Sequence, residues 1–521
     1  MSPSRNHFLL SLYGLISIAL ILFGLTSSFL KPLGIYDEGF ALTNALRILQ
    51  GEVPHRDYWA AYPPGTSLAL AVFFSFLEPT LFVARLVNLG WTILILASIF
   101  VLLRHFASTW SSLTATVVAS LWVSASLYPS YSVIPALALV FLALALFAKG
   151  IAFDNKSIIA LGGIIAGCVV LFRHDFSGYL FFSILATLIV TIVKTKSEAA
   201  RSSTIRSALF FLVLFFLTTL VVLILLLTYS GWGNFIQQAI EFPATGMREY
   251  RFLPYPGLLD FFGAWKSQWL LAWLVPGLVF AALCNQWIAR ANQELSKSMA
   301  LYTLAIMSLL LTVQAHNRLD TSHAAPSILF ALCFLVSAAS SRPLVAQRTY
   351  KIVSCGLIAV LFLYSAYAAV DYPSYRNVIE CARNRPPQSC MKADESQMQV
   401  VEFVNKNFNP TEPVFIGNTR HDKIFVNDAS MYFLLGRAIP VKWNEMHPGV
   451  VTTRDVQQAI IKQLDERKVN VVVIANMPEP QEKNASAVSS GVHVLDDYIK
   501  NNYKPVFSNN RYQVLERWKT G

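Results

Sequence analysis

Apolar residues run through this chain in blocks. From Phe8 onward, stretches of Leu, Ile, Val, Phe and Ala recur at close to the roughly 20 residues that cross a bilayer, with short polar breaks between them. The blocks fall at Phe8–Leu30 and then at 81–103, 108–127, 131–152, 157–172, 176–194, 206–229, 268–285, 298–315, 324–340 and 350–371, which predicts about eleven spans. The first block is too long for a signal core and lacks a small-residue cleavage site, so it is expected to remain as a helix. From about Asp371 the pattern changes, and no later run is long enough to span. Helices are predicted there at Val400–Asn407, Thr453–Lys468 and Leu495–Asn502, with strands at Pro413–Gly417, Val469–Ala475 and Tyr512–Trp518. Helices between apolar strands argue for a small α/β domain. The expected fold is thus an α-helical polytopic membrane protein: residues 1–371 form the bundle, with a first outer loop at 31–80, and residues 372–521 form the C-terminal domain.

Composition agrees. Of 521 residues, 55% are hydrophobic and only 14% charged, too little charge to cover a soluble surface of this size. The net charge of +11 raises the question of nucleic acid, but no basic–aromatic module of a nucleic-acid binder is present. The charge instead reads as topology. With Arg5 and the N-terminus in the cytoplasm, the inner loops carry Arg104, Lys149 with Lys156, the cluster Lys194, Lys196, Arg201 and Arg206, then Arg290 with Lys297, and finally Arg342, Arg348 and Lys351. An odd number of spans then puts the C-terminal domain outside. Cys168, Cys284, Cys333 and Cys355 lie in apolar runs as small hydrophobes. Cys381 and Cys390 flank a polar loop on the oxidising side, where a disulfide is expected, and neither pair has the doubled spacing of a zinc site.

This topology sends the polar segments to one face: Gly34 to Gly65, Arg173-His174-Asp175, Gly231 to Lys266 and His316 to His323. Ionisable groups at the ends of apolar helices are expensive unless they act, so their convergence predicts a site there. In the first outer loop, Glu38 to Gln50 places Ala41, Leu42, Ala45, Leu46 and Leu49 at helical spacing and Gly51 stops the run. A short helix lying along the membrane surface is expected, and a second one between Gly65 and Pro79.

The loop then shows a connected pattern: Asp37-Glu38 at a helix start, Gly51-Glu52-Val53-Pro54-His55-Arg56-Asp57, and Tyr62-Pro63-Pro64-Gly65-Thr66. Phe172-Arg173-His174-Asp175 and Arg318-Leu319-Asp320-Thr321-Ser322-His323 follow in order. Together these resemble the GT-C superfamily, and within it bacterial relatives of protein O-mannosyltransferases and the lipid A aminoarabinose transferase. The resemblance implies a glycosyltransferase of a bacterial inner membrane that takes a sugar from a polyprenyl-phosphate carrier to an envelope lipid, glycan or protein on the periplasmic face. It makes Asp37 the base. A divalent metal such as Mg or Mn is an open point of the resemblance, with Asp37, Glu38 and Asp57 as the residues that would hold it.

The chemistry suits these residue types. A hydroxyl attacking a sugar must lose its proton, which a positioned carboxylate can take. Neighbours on a helix point about 100° apart, so Asp37 and Glu38 should differ in role, Glu38 positioning Asp37, the acceptor or a cation. A phosphate leaving group needs cations, and the planar arginine fork meets two of its oxygens. Arg173 and Arg318 are the strongest candidates; Arg56, Arg248 and Arg251 are weaker; Asp57, Asp175, Asp320 and His323 complete the candidate substrate contacts. Plainer readings stand beside these. Asp37 could be an N-cap, Asp57 could merely pair with Arg56, and Arg173 could merely pair with Asp175. Asp320 and His323, three apart, could bond each other, and His55 and His174 could be interfacial packing. In the C-terminal domain, Gly417 to Asp422 and Trp443 to Gly449 are polar and aromatic, either a carbohydrate-contacting surface or loops fixed by local hydrogen bonds. No phosphate-binding glycine loop follows a strand.

Overall fold

The computed structural model describes residues 3–194, 198–260, 269–288, 295–340, 352, 355–365 and 394–518. Cys381 and Cys390, and with them the expected disulfide, lie outside the described residues. Helices occupy the apolar blocks: α1 (Pro3–Phe29), α4 (Leu81–Arg104), α5 (Thr109–Ser126), α6 (Val133–Ala152), α7 (Lys156–Cys168), α8 (His174–Lys194) and α9 (Glu198–Ser230), with α2 (Asp37–Leu49) and α3 (Gly65–Phe76) in the first loop. Val275–Ile288, Leu295–Ala315, Thr321–Ser340 and Cys355–Ser365 follow. Among the described residues, seven helices are long and apolar enough to cross a membrane, and four shorter apolar helices accompany them. The chain is a multi-pass membrane protein. Polar caps set several starts: Thr80 accepts from Val83 N, Ser108 from Ser111 N and Asn155 from Ile158 N.

The bundle core centres on Trp122, whose indole N–H donates to Ala325 O at 3.2 Å, and on Phe141 stacked on Phe330 at 4.5 Å. Small residues let helices close up. A Cβ at Gly167 of α7 would lie 2.4 Å from Thr218 Cβ of α9, so only glycine permits that approach.

The C-terminal domain is a four-stranded sheet in the order β1-β2-β4-β3, from β1 (Val414–Asn418), β2 (Val471–Ala475), β3 (Tyr503–Ser508) and β4 (Tyr512–Arg517). β1 and β2 are parallel, with Val414 opposite Val471, while β4 runs antiparallel to both its neighbours. The three strands and three helices anticipated from the sequence are all present. Strand β3 was not anticipated. It is an edge strand carrying Lys504 and Pro505, mostly unburied, so neither an apolar run nor a clean alternation marks it.

One expectation is corrected. Helix α2 does not lie on an open membrane surface. It is buried as a seam between the bundle and the C-terminal domain, with Glu38 to Ala45 and Arg47 all buried. Gly39 shows how close the fit is, because a Cβ there would stand 2.7 Å from Ser430 N. Ala429 N donates to Ile35 O at 3.0 Å, Thr43 Oγ1 to Ala429 O at 2.8 Å, and Trp59 N to Lys442 O at 2.9 Å. The fully buried Arg47 donates to Val441 O at 2.8 Å and Asn444 Oδ1 at 3.0 Å, pairs with Glu52, and lies over the Tyr58 ring. Amphipathic spacing reports that a face is covered; it does not report by what.

Candidate active site

Asp37 is the first residue of α2. The N-cap position belongs to Tyr36, and no side-chain cap bond is made, so the capping reading of Asp37 does not hold. Among the described residues no hydrogen bond or ion pair reaches the Asp37 carboxylate, although it is half-buried at the end of a large cleft. Burial pushes its pKa up to about 6, with His323 and Arg251 pulling it down and Glu445 and Asp320 pushing it further up.

Glu38 is locked. Its Oε1 lies 2.8 Å from Arg85 Nε with both side chains fully buried, and its Oε2 accepts from Arg85 Nη2 at 2.9 Å and Gly34 N at 2.8 Å. Arg85 also donates to the carbonyls of Ser28, Phe29 and Pro32. The pair therefore ties the end of α1 and the turn before α2 to the start of α4. Neighbouring carboxylates have separate tasks, as their helical directions require.

The cleft measures about 780 Å³ and gathers residues from widely separated stretches of chain. Lys31 and Asp37 come from the first loop, Arg251 from the segment after α9, Arg318 to His323 from the start of a late helix, and Phe425 with Arg511 from the C-terminal domain. Lys31 donates to Leu127 O at 2.9 Å, and burial beside Arg85 lowers its pKa to about 8. Arg251 donates to Tyr36 Oη at 2.8 Å and Phe425 O at 2.5 Å and has no carboxylate partner among the described residues. Arg318 is held by Glu482 at 2.7 and 2.9 Å and by Asp320 at 3.2 Å. Asp320 also bonds His323 Nδ1 at 2.8 Å and accepts from His323 N and Ser322 Oγ, and these bonds hold its carboxyl well below the ordinary range against burial. The local Asp320–His323 bond and a place in the cleft are thus both realised.

The other sequence candidates fall elsewhere. Arg56 pairs with Asp57 at 2.8 Å on an exposed edge, and Asp57 also accepts from Val53 N at 2.7 Å. Arg173 makes two bonds to Asp175, at 2.9 and 2.5 Å, and lies over the Tyr62 ring, behind the cleft wall. Arg248 is exposed. His55 is buried against Phe235, bonds Gln238 at 3.2 Å, and burial lowers its pKa to about 4. His174 is packed at the start of α8, with Nδ1 unbonded.

The C-terminal domain contributes residues whose roles the sequence did not assign. Tyr36 Oη bonds His447 Nδ1 at 3.1 Å, His447 Nε2 approaches Glu445 at 3.4 Å, and Glu445 accepts from Asn44 Nδ2 at 2.7 Å and Ala61 N at 3.3 Å. His447 sits within an aromatic ring of Tyr36, Phe40, Trp59 and Phe242, and burial lowers its pKa. The polar stretch Trp443 to Gly449 is accordingly neither an open carbohydrate platform nor a purely local loop. It docks on α2.

No protein-family model matches the chain, and no curated protein sequence does. Solved structures do match. ArnT from Cupriavidus metallidurans bound to undecaprenyl phosphate superposes with a TM-score of 0.57 at 12% identity, covering 98% of this chain and 98% of that one. Its apo state gives a TM-score of 0.51 at 13% identity over the same shares. The chain shares the fold of ArnT. The oligosaccharyltransferase of Archaeoglobus fulgidus, in complex with zinc and sulfate, gives a TM-score of 0.44 at 13% identity, over 88% of this chain and 68% of that one. Asp37, Glu38 and Asp57 do not assemble a metal site: Arg85 neutralises Glu38 and Arg56 neutralises Asp57. Asp422, His493 and Asp496 in the C-terminal domain do converge within 4.8 Å, but Arg420 already grips Asp422 at 2.6 and 2.8 Å.

Proposed function

We propose that this protein is a membrane glycosyltransferase that moves a sugar from a polyprenyl-phosphate carrier to an envelope acceptor on the non-cytoplasmic face, with Asp37 as general base. The observation that carries this reading is the unbonded Asp37 carboxylate at the end of a cleft that also holds Arg251, Arg318 and His323. The cations suit the phosphate that leaves with the carrier, and stay aimed where negative charge grows. A base with its pKa raised to about 6 is ionised at neutral pH yet still basic enough to take a proton. The carrier's prenyl chain would lie against the apolar outer surface of the bundle. The fold shared with ArnT, a protein solved with undecaprenyl phosphate bound, supports the carrier class. The basic inner loops support the orientation.

Glu38 acts here through structure, holding the turn on which Asp37 stands. Asp37, Glu38 and Asp57 do not fit a shared metal, so no step is routed through one. The test is a transfer assay with purified full-length protein and a panel of polyprenyl-phosphate sugars. Wild type should consume at least one donor and release polyprenyl phosphate, and Asp37→Asn should not. Equal activity in a folded Asp37→Asn variant would remove the assignment of the base.

A further inference from the structure

Behind Asp37, away from the large cleft, lies a second and smaller cavity of about 50 Å³. Asp37, Tyr62 and Tyr131 line both, so the two spaces meet at the candidate base. Their linings differ in kind. The large cleft carries Lys31, Arg251, Arg318, His323 and Arg511. The small chamber has no Lys, Arg or His in its lining; it has Asn44, Glu445 and the hydroxyl residues Tyr58, Thr66, Ser130 and Ser132.

Those four hydroxyl oxygens are buried without a hydrogen-bond partner. Tyr58, Ser130 and Ser132 are only 1%, 5% and 7% exposed. Buried hydroxyls normally find a partner, and four of the residues lining this one cavity carry hydroxyls that have none. Ser130 adds a backbone observation. Its φ is +57°, a conformation that residues with a Cβ seldom adopt, and its N–H is held by Asn88 Oδ1 at 3.0 Å. The wall is built at some strain to put this serine there.

We propose that this chamber is the acceptor subsite and that it receives a neutral hydroxyl group, not a phosphate. The inference rests on the transferase reading above and names its acceptor chemistry. A phosphate entering here would meet Asp37 and Glu445 with no cation to balance it, whereas a hydroxyl can donate to Asp37 and accept from the chamber's own hydroxyls. Since a single water needs about 10–15 Å³ by the same measure of cavity volume, the space admits a hydroxymethyl group and not a whole sugar ring. In the transfer step the acceptor O–H proton passes to Asp37 and the oxygen forms its bond to the anomeric carbon. The bond from that carbon to the carrier's phosphate oxygen breaks, and its electron pair leaves with the polyprenyl phosphate on the cationic side. The proton then passes from Asp37 to solvent.

The experiment takes a donor that the wild-type protein consumes, in a detergent without hydroxyl groups, and offers n-octyl β-D-glucoside or n-octyl phosphate below their micellar concentrations. Glycosylated product is read by mass spectrometry and donor hydrolysis is read in parallel. The glucoside should be glycosylated at least tenfold faster than the phosphate. Ser132→Ala and Thr66→Val should each lower the ratio of transfer to hydrolysis, by about tenfold in the combined variant, and Ser132→Thr should restore much of it. Faster transfer to the phosphate, no transfer to the glucoside, or an unmoved ratio in the variants overturns the proposal. If wild type neither hydrolyses nor transfers any donor, the transferase reading itself fails, which is a separate result.

Discussion

Asp37 and Glu38 are adjacent in the chain, share the first turn of one helix, and live in opposite surroundings. The region around Glu38 is closed: its carboxylate pairs with Arg85 and accepts from Gly34 N–H, and three carbonyls accept from Arg85. The region around Asp37 is open to a cleft, and its carboxylate is left without a bond. Burial raises the pKa of both, but only at Glu38 does a bonded cation compensate. The lesson is a division of labour within one helical turn. In the proposed mechanism the rigid carboxylate fixes the geometry and the free one takes the proton.

The sharpest way to break this comparison is Asp37→Asn. Loss of a general base lowers transfer by about 10²–10⁴-fold, while the fold should persist. The thermal midpoint should not fall at pH 7, because a carboxylate whose native pKa lies above its unfolded value opposes folding once ionised. That penalty is absent at low pH and grows as pH rises through about 6, so asparagine removes it. A clear loss of stability would show that Asp37 is structural after all.

Glu38→Gln tests the other side. It leaves Arg85 charged and buried without its counter-ion, a change worth about 3–5 kcal/mol, read as a drop in thermal midpoint. Adding Arg85→Met should recover much of it. A Glu38→Gln protein with wild-type stability and lost activity would move Glu38 into the chemistry.

The pH profile of transfer follows with a smaller effect. A base must be ionised to act, so kcat/KM should climb as pH rises and level off above about 6, with the midpoint set by burial of Asp37. His323, Asp320, Arg251 and Glu445 all face this carboxylate, so a shift of the midpoint in Arg251→Gln, toward higher pH, is the matching check. The least effect is expected at Tyr36→Phe, which removes the link between Arg251 and His447 and should lower kcat/KM by about three- to tenfold, in line with one hydrogen bond.

Much of the fold was legible because its signal is local. A span such as Leu81–Arg104 is visible in any window of its length, since the bilayer demands about 20 apolar residues wherever the helix packs. The parallel β1 and β2 read as short, mostly apolar and wholly buried runs for a similar reason. The site was legible in part. Asp37 and the Arg318–His323 segment, expected on one face from their polar ends, line one cleft. Their ranking was less accurate: Arg173 turned to Asp175, while Arg251, the weaker candidate, stands unpaired by any carboxylate in the cleft. Both are arginines at helix ends with an acid two residues away, Asp175 and Glu249, and the sequence does not tell which of the two pairs closes. Glu445 and His447 reach α2 across some four hundred residues, a distance at which no spacing rule operates.

By itself, the sequence determined the order of apolar segments, the expected sidedness of their loops, the strand–helix alternation of the C-terminal domain and the presence of paired acids at the start of α2. Hydrophobic periodicity, turn residues and charge bias act over a few to a few tens of residues, so they are written in the chain itself. The tertiary structure alone decided that α2 is a covered seam, that Glu38 is spent on Arg85, and that Asp37 stands between a cationic cleft and a hydroxyl-lined chamber. Each of these depends on which side chain meets which across distant segments, and the free energy of a carboxylate is set by that company rather than by its place in the chain.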